Sequence, residues 1–136
     1  MNKPIEITRY NKILLVDDDE ADIFISNRIF KMASLANHIV TKSTVCEALT
    51  YLKSFSEQPD ELPDIIFLDL EMPVMDGFDF LDEFRMLGDI VKVRCKIVVL
   101  TNILPYDPEK TKVIKSNPFI KKMINKPLTV EALEDI

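Results

Sequence analysis

Only two cysteines, Cys46 and Cys95, and one histidine, His38, occur in this sequence. The cysteines lie far apart, with no second Cys or His at metal-ligand spacing. That excludes a disulfide-built secreted fold and a thiolate or imidazole metal site. Both cysteines therefore read as small apolar residues, and His38 as incidental. No apolar run approaches the roughly 20 residues a membrane span needs, and Met1 to Lys12 has no apolar targeting core. A soluble, cytoplasmic protein with no membrane partner is expected. Positive charge is in deficit, 17 Lys and Arg against 23 Asp and Glu for a net charge of −6, which disfavours nucleic acid as a partner. Internal repeats and low-complexity tracts are also missing.

What remains is one domain's worth of chain: 136 residues, of which 47% are hydrophobic, enough for a single buried core. Ile13-Leu14-Leu15-Val16, Ile65-Ile66-Phe67-Leu68 and Ile97-Val98-Val99-Leu100 are short, continuous apolar runs, as parallel strands covered on both faces require. His38 to Lys42 and Phe119 to Ile124 are strand candidates interrupted by charge, which suits sheet edges. Helix-period segments lie between them. Ala21, Ile25, Ile29 and Met32 share one helix face, and Val45, Ala48, Leu49 and Leu52 another, behind a Thr44-x-x-Glu47 capping box. Phe80, Phe84 and Leu87 form a third stripe ending at Gly88, and Pro108 to Ser116 a lysine-rich fourth helix. Thr129 is placed to cap a short last helix. Pro59 and Pro63 break Lys53 to Asp64 into a loop. The resulting β-α order, five times over, predicts an α/β fold: a doubly wound parallel sheet with helices on both faces and right-handed crossovers. Ligands bind such sheets beyond the carboxyl ends of the strands, where strand order reverses.

At those strand ends stand Asp17, Asp18 and Asp19 after the first strand, Asp69 after the third, Thr101 after the fourth, and Lys126-Pro127 after the fifth. An acidic run alone is usually a solvated turn or helix cap, and Asp19 reads as that. A lone Thr or Lys-Pro is equally bland. Together they are not, because each of four strand ends carries the residue type that a magnesium phosphoryl site requires. Confined carboxylates repel one another and persist most easily around a cation. Oxygen-only ligands point to Mg²⁺, which commonly completes its shell with substrate phosphate. Lys126 supplies a compact positive charge, Thr101 a hydroxyl donor, and Asp69 the nucleophile.

These residues resemble the receiver domains of two-component response regulators, of the single-domain, chemotaxis-regulator kind. Ile13 to Asp18 is similar to the family's first strand and acidic pair. Ile66-Phe67-Leu68-Asp69-Leu70-Glu71-Met72-Pro73-Val74-Met75-Asp76-Gly77 resembles its phosphoacceptor strand and loop, and Leu100-Thr101 and Asn125-Lys126-Pro127 follow in order. The resemblance implies a flavodoxin-like five-stranded sheet of order 2-1-3-4-5, with residues 1–11 as an N-terminal extension and 12–136 as the receiver domain. It implies Asp69 as phosphoacceptor, Asp18 and Asp69 as direct metal ligands, Asp17 holding the metal through water, and the backbone carbonyl of Glu71 as a third ligand. A cis Lys126-Pro127 peptide is expected largely on the same ground. Two places depart from the family's habit: Met123 stands where a Tyr or Phe is usual, and Asn102 where a small residue usually follows the switch Thr. With Glu71 and Ile103, Asn102 flanks the approach of water to Asp69, and slow autodephosphorylation is expected.

Two other readings compete. A haloacid-dehalogenase-type phosphatase also uses a nucleophilic Asp and magnesium, but needs a second Asp two residues on, where this chain has Glu71. A phosphorylation-independent binding module would require a decayed site, and all five key residues are present. The partners expected are a histidine kinase or histidine phosphotransfer protein as donor, within a phosphorelay or similar signal transduction chain, and a separate protein as output. Between Pro105 and Pro127, Lys110, Lys112, Lys115, Lys121, Lys122 and Lys126 face Asp107 and Glu109, a local +4. That segment is either a solvated face or the docking face of an acidic downstream partner.

Overall fold

The three apolar runs become the interior of one parallel sheet. In the computed structural model, residues 8–102 and 108–136 are described; Ile103, Pro105 and Asp107, to which roles were attached above, lie outside them. The strands are β1 (Tyr10–Val16), β2 (Ala36–Lys42), β3 (Ile65–Asp69), β4 (Lys96–Thr101) and β5 (Ile120–Asn125), in spatial order β2-β1-β3-β4-β5 and all parallel. This is the expected doubly wound fold. Chain order reverses between β1 and β3, where the crossovers diverge to opposite faces and leave a crevice. β1 takes in Tyr10 and Asn11, ahead of the run that marked it.

Alternation along the central strands explains why their apolar runs are unbroken. Leu14, Val16, Ile66, Leu68, Ile97 and Val99 point to one face and pack with α2 (Val45–Ser54) and α3 (Gly77–Arg85). Ile13, Leu15, Phe67, Val98 and Leu100 point to the other, under α1 (Glu20–Met32) and the C-terminal segment. Both sets are fully buried, so every second residue serves a separate core. Phe30 of α1 meets Phe67 of β3 at 4.6 Å between ring centroids, fixing that helix to the sheet centre. On the opposite face Phe84 stacks with Phe80 and meets Phe119 edge-on.

Helix starts follow local hydrogen-bond chemistry. Asp19 caps α1 by accepting from Asp22 N at 2.9 Å, and Thr44 caps α2 by accepting from Glu47 N at 3.0 Å. A reciprocal capping box opens α3, between Asp76 and Asp79, each bond satisfying a backbone donor that the first turn leaves open. The α2 and α3 stripes are buried as expected. The α1 stripe is not: Ile25 and Met32 are exposed, while Ser26 and Phe30 face the core with Ile23 beside them.

Three further elements differ from the sequence reading. A short helix, α4 (Asp89–Arg94), follows α3 directly, with Gly88 as its N-cap residue, and buries Val91. Pro59–Glu61 forms a 3-10 turn inside the expected loop. The last helix is only a 3-10 turn, Glu131–Leu133, with Thr129 Oγ1 accepting from Ala132 N at 3.2 Å. Arg9 bonds the carbonyls of Leu133 and Ile136, tying that turn to the start of β1. Cys95 is buried, but Cys46 is exposed and does not behave as a core residue. No helix among the described residues is long and apolar enough to cross a membrane.

Candidate functional site

Sheet register assembles the site. Val16 pairs with Leu68 and Asp69 with Leu100, so Asp17 and Asp69 emerge side by side; Thr101 pairs with Asn125, which puts Lys126 one residue beyond Thr101's row. The ladder continues past the strands, with Asp17 N donating to Lys42 O, Leu70 N to Leu100 O and Lys126 N to Thr101 O. These residues are therefore held by backbone hydrogen bonds rather than left on free loops. The Lys126-Pro127 peptide is cis, as expected.

Each buried carboxylate is oriented by the backbone two residues on. Asp17 Oδ1 accepts from Asp19 N, and Asp69 Oδ1 from Glu71 N, both at 3.0 Å. This turn chemistry is typical of Asp at a strand end. It directs the two Oδ2 atoms toward Lys126, whose Nζ lies 3.4 Å from Asp17 Oδ2 and 3.3 Å from Asp69 Oδ2. A third carboxylate, Asp22 Oδ2, is closer still at 2.9 Å. The sequence reading missed Asp22. Its signal was available: the helix opens directly after the acidic run, so a first-turn Asp one turn beyond Asp18 returns to the strand end.

Asp17 and Asp69 are almost wholly buried and Asp18 is exposed. One oxygen from each of the three can lie within 4.8 Å of the others. Burial raises the pKa of Asp17, against the opposing pull of the Asp19 amide and Lys126. Burial likewise pushes Asp69 up to about 7, outweighing the Glu71 amide and Lys126. Lys126 is held above the ordinary lysine range because the hydrogen bond to Asp22 and the charges of Asp69 and Asp17 outweigh its own desolvation. The directions agree: one ammonium is shared among several carboxylates and does not neutralise them all. Such a site gains from a further cation. A set made of oxygen donors alone, partly open to water through Asp18, fits magnesium better than a softer metal.

Glu71 and Thr101, assigned separately from sequence, are joined through their side chains. Thr101 Oγ1 donates to Glu71 Oε1 at 3.0 Å, and Asn102 N donates to the same oxygen at 2.9 Å. Thr101 is fully buried. Gly77 supports the floor of the site. A Cβ there would sit 2.7 Å from Leu70 Cα and 2.8 Å from Asp69 O, so only glycine lets α3 start against the end of β3. Met123 is partly buried and packs into the core beneath α2 and α3.

The lysines of the C-terminal third do not form one surface. Lys126 is in the site, Lys122 bonds Ala132 O and pairs with Asp135, and Lys110 lies 5.6 Å from the Phe78 ring centroid. Lys112, Lys115 and Lys121 are exposed.

Comparison with known proteins agrees with this geometry. Response regulator Rcp1 of Synechocystis sp. is 29% identical over 90 residues, covering 65% of this chain and 60% of that protein, so the chain spans somewhat more than half of the curated relative it matches. Among solved structures, a two-component response regulator from Cytophaga hutchinsonii superimposes with a TM-score of 0.83 at 25% identity, covering 93% of this chain and 92% of that one. A two-component response regulator from Legionella pneumophila is 30% identical with a TM-score of 0.72, covering 89% and 90%. The CheY4 chemotaxis protein of Vibrio cholerae is 28% identical with a TM-score of 0.70, covering 90% and 92%. The model of the response regulator receiver domain matches residues 13–136, nearly the whole of the sheet and its strand-end site, and the chain belongs to that family.

Proposed function

We propose that this protein is a phosphoacceptor: Asp69 takes a phosphoryl group from a histidine kinase or histidine phosphotransfer protein, in a magnesium-dependent reaction, and passes the signal to a separate protein. One observation carries the reading. Lys126 Nζ stands 3.3 Å from the Asp69 carboxylate at the sheet's crevice, with the Asp17 and Asp18 carboxylates beside it. This grouping supports Asp69 as nucleophile, Lys126 as a fixed positive charge and the three carboxylates as a cation-binding set.

In the transfer, an Asp69 carboxylate oxygen attacks phosphorus. The new O–P bond forms as the donor's bond to phosphorus breaks, and its electron pair leaves with the donor nitrogen or oxygen, which takes up a proton. Lys126 neutralises charge on the phosphoryl oxygens, and the Thr101 hydroxyl donates a hydrogen bond to one of them. Magnesium, when bound, adds positive charge that favours the ionised carboxylates; Asp17, Asp18, Asp69 and the main-chain carbonyl of Glu71 would hold it. Residues 12–136 act as the receiver, with Tyr10 and Asn11 of the expected 1–11 extension lengthening its first strand, in a cytoplasmic protein with no membrane or nucleic-acid partner. The output partner docks on the face near Pro105 to Pro127, the segment with the local +4 charge. A phosphatase reading finds less support, because the Glu71 carboxylate that would serve as its acid already accepts from Thr101 and Asn102.

Incubation with acetyl phosphate and Mg²⁺ tests the proposal. Stoichiometric labelling that is lost in Asp69→Asn supports it, because an amide cannot form an acyl phosphate. Turnover of phosphate esters without stable labelling would select the phosphatase instead.

A further inference from the structure

Thr101 and Asn102 offer two donors at the carboxyl end of β4, and one oxygen of Glu71 takes both, at 3.0 and 2.9 Å. The Glu71 main chain is itself pinned to the acceptor, through its N–H to Asp69 Oδ1. Thr101 is fully buried and stands one residue beyond the partner of Asp69 in the sheet. An anionic carboxylate oxygen and a phosphoryl oxygen present the same chemistry to an O–H and an N–H donor. Resting on the phosphoacceptor reading above, we propose that Glu71 is an internal stand-in for the phosphoryl group. It is a positioning residue that occupies the Thr101 hydroxyl and the Asn102 amide in the resting protein and is displaced when Asp69 is modified.

The physical argument is competition at a shared set of donors. A phosphoryl group on Asp69 brings up to about two negative charges within two residues of Glu71. Like charges repel, and the donors gain by leaving a single carboxylate oxygen for a doubly charged acceptor held in place by a covalent bond. Glu71 then swings outward, where its exposed position lets it be solvated. The two-state element is the carboxyl end of β4, bound to Glu71 in one state and to the phosphoryl group in the other. Glu71 therefore weights the equilibrium toward rest, and its removal favours the modified arrangement.

Amide exchange of Asn102 by NMR in the magnesium-free protein, together with the affinity for beryllium fluoride in the presence of Mg²⁺, tests this in native protein, Glu71→Gln and Glu71→Ala. The glutamine keeps an acceptor oxygen without charge; the alanine keeps neither. Asn102 exchange should rise about tenfold in Glu71→Ala and less in Glu71→Gln. Affinity for the phosphoryl mimic should rise in the same order, by roughly three- to tenfold in the alanine variant, a modest gain because Glu71 is exposed. Unchanged protection of Asn102 in Glu71→Ala overturns the proposal. Equal affinity gains in the two variants overturn it as well, since charge alone would then account for the effect. Failure of every protein, native included, to bind the mimic removes the phosphoacceptor reading and the competition with it. That failure is distinguishable because the exchange measurement needs no phosphoryl mimic.

Discussion

Asp69 gives the site a measurable acid–base signature. Its carboxyl, pushed up to about 7 by burial, has a folded-state pKa above the unfolded value of about 4. The folded state therefore binds this proton more tightly than the unfolded state. The stability contributed by the group is fully present below about pH 4 and is lost as pH rises through 7. Between those values the magnesium-free protein should lose up to about 1.4 kcal/mol per pH unit from this residue. Denaturant titrations at pH 5 and pH 7 should show the fall, and Asp69→Asn should flatten it; an equal fall in the variant would assign the effect elsewhere. Cysteine provides a second residue-scale test. Burial pushes the Cys95 thiol up to about 12, whereas Cys46 is exposed at the start of α2. Native protein should react with one equivalent of a disulfide reagent at pH 8 and with two after denaturation, since only the thiolate of an accessible cysteine reacts. Two fast equivalents in the native state would contradict the burial of Cys95.

At the scale of elements, the junction from β3 to α3 links fold to site. Gly77 N donates to Leu70 O at 3.2 Å, and the close approach leaves no room for a Cβ. Gly77→Ala should destabilise the protein by about 1–3 kcal/mol, the usual cost of forcing an atom into a packed site. It should also reduce labelling of Asp69 by shifting the backbone that carries it. Thermal unfolding and labelling measured together check this; a variant with normal labelling would show that α3 does not position the acceptor.

The same scale shows which elements were legible in the sequence. β1, β3 and β4 were, because a strand buried on both faces has to be apolar throughout, and Ile13, Ile65 and Ile97 begin runs that nothing polar interrupts. α2 was legible because Val45, Ala48, Leu49 and Leu52 lie on one buried face. α1 was not, because Phe24, Ile25 and Met32 lie exposed while Ser26 lies inside; periodicity then offers two stripes, and only packing against Phe67 selects one. α4 was too short, at six residues, to show a period. The convergence was readable at the strand ends: Asp17 and Asp69 both lie within 3.4 Å of Lys126 Nζ, while Thr101, at the end of β4, bonds Glu71. Asp22 and the Glu71–Thr101 bond depend on side-chain directions that strand order does not specify.

For the whole molecule, the acidic cluster ties stability to the metal binding proposed for it. Carboxylates held together in the folded state and dispersed in the unfolded one make a cation a ligand of the native state alone. Magnesium should then stabilise the protein by about 2.7 kcal/mol at a hundredfold excess over its Kd. The gain should be larger at pH 8 than at pH 5, where Asp69 is protonated. Asp18→Ala should lose most of this gain and, in the absence of metal, be no less stable than the native protein, because one repelling charge is gone. Melting curves with and without Mg²⁺ would reveal this pattern, and a metal-free Asp18→Ala protein that melted lower would argue against a strained acidic cluster.

The central claim, that Asp69 becomes the phosphorylated residue, is tested most directly by trapping the acyl phosphate. Treating the protein with acetyl phosphate and Mg²⁺ and then reducing with borohydride converts a phosphorylated aspartate to homoserine, which peptide mass spectrometry can locate. The account predicts homoserine at position 69 and at no other aspartate, with none formed when Mg²⁺ is left out. Homoserine at position 17 or 18, or unmodified Asp69 under conditions where the metal is bound, would contradict it.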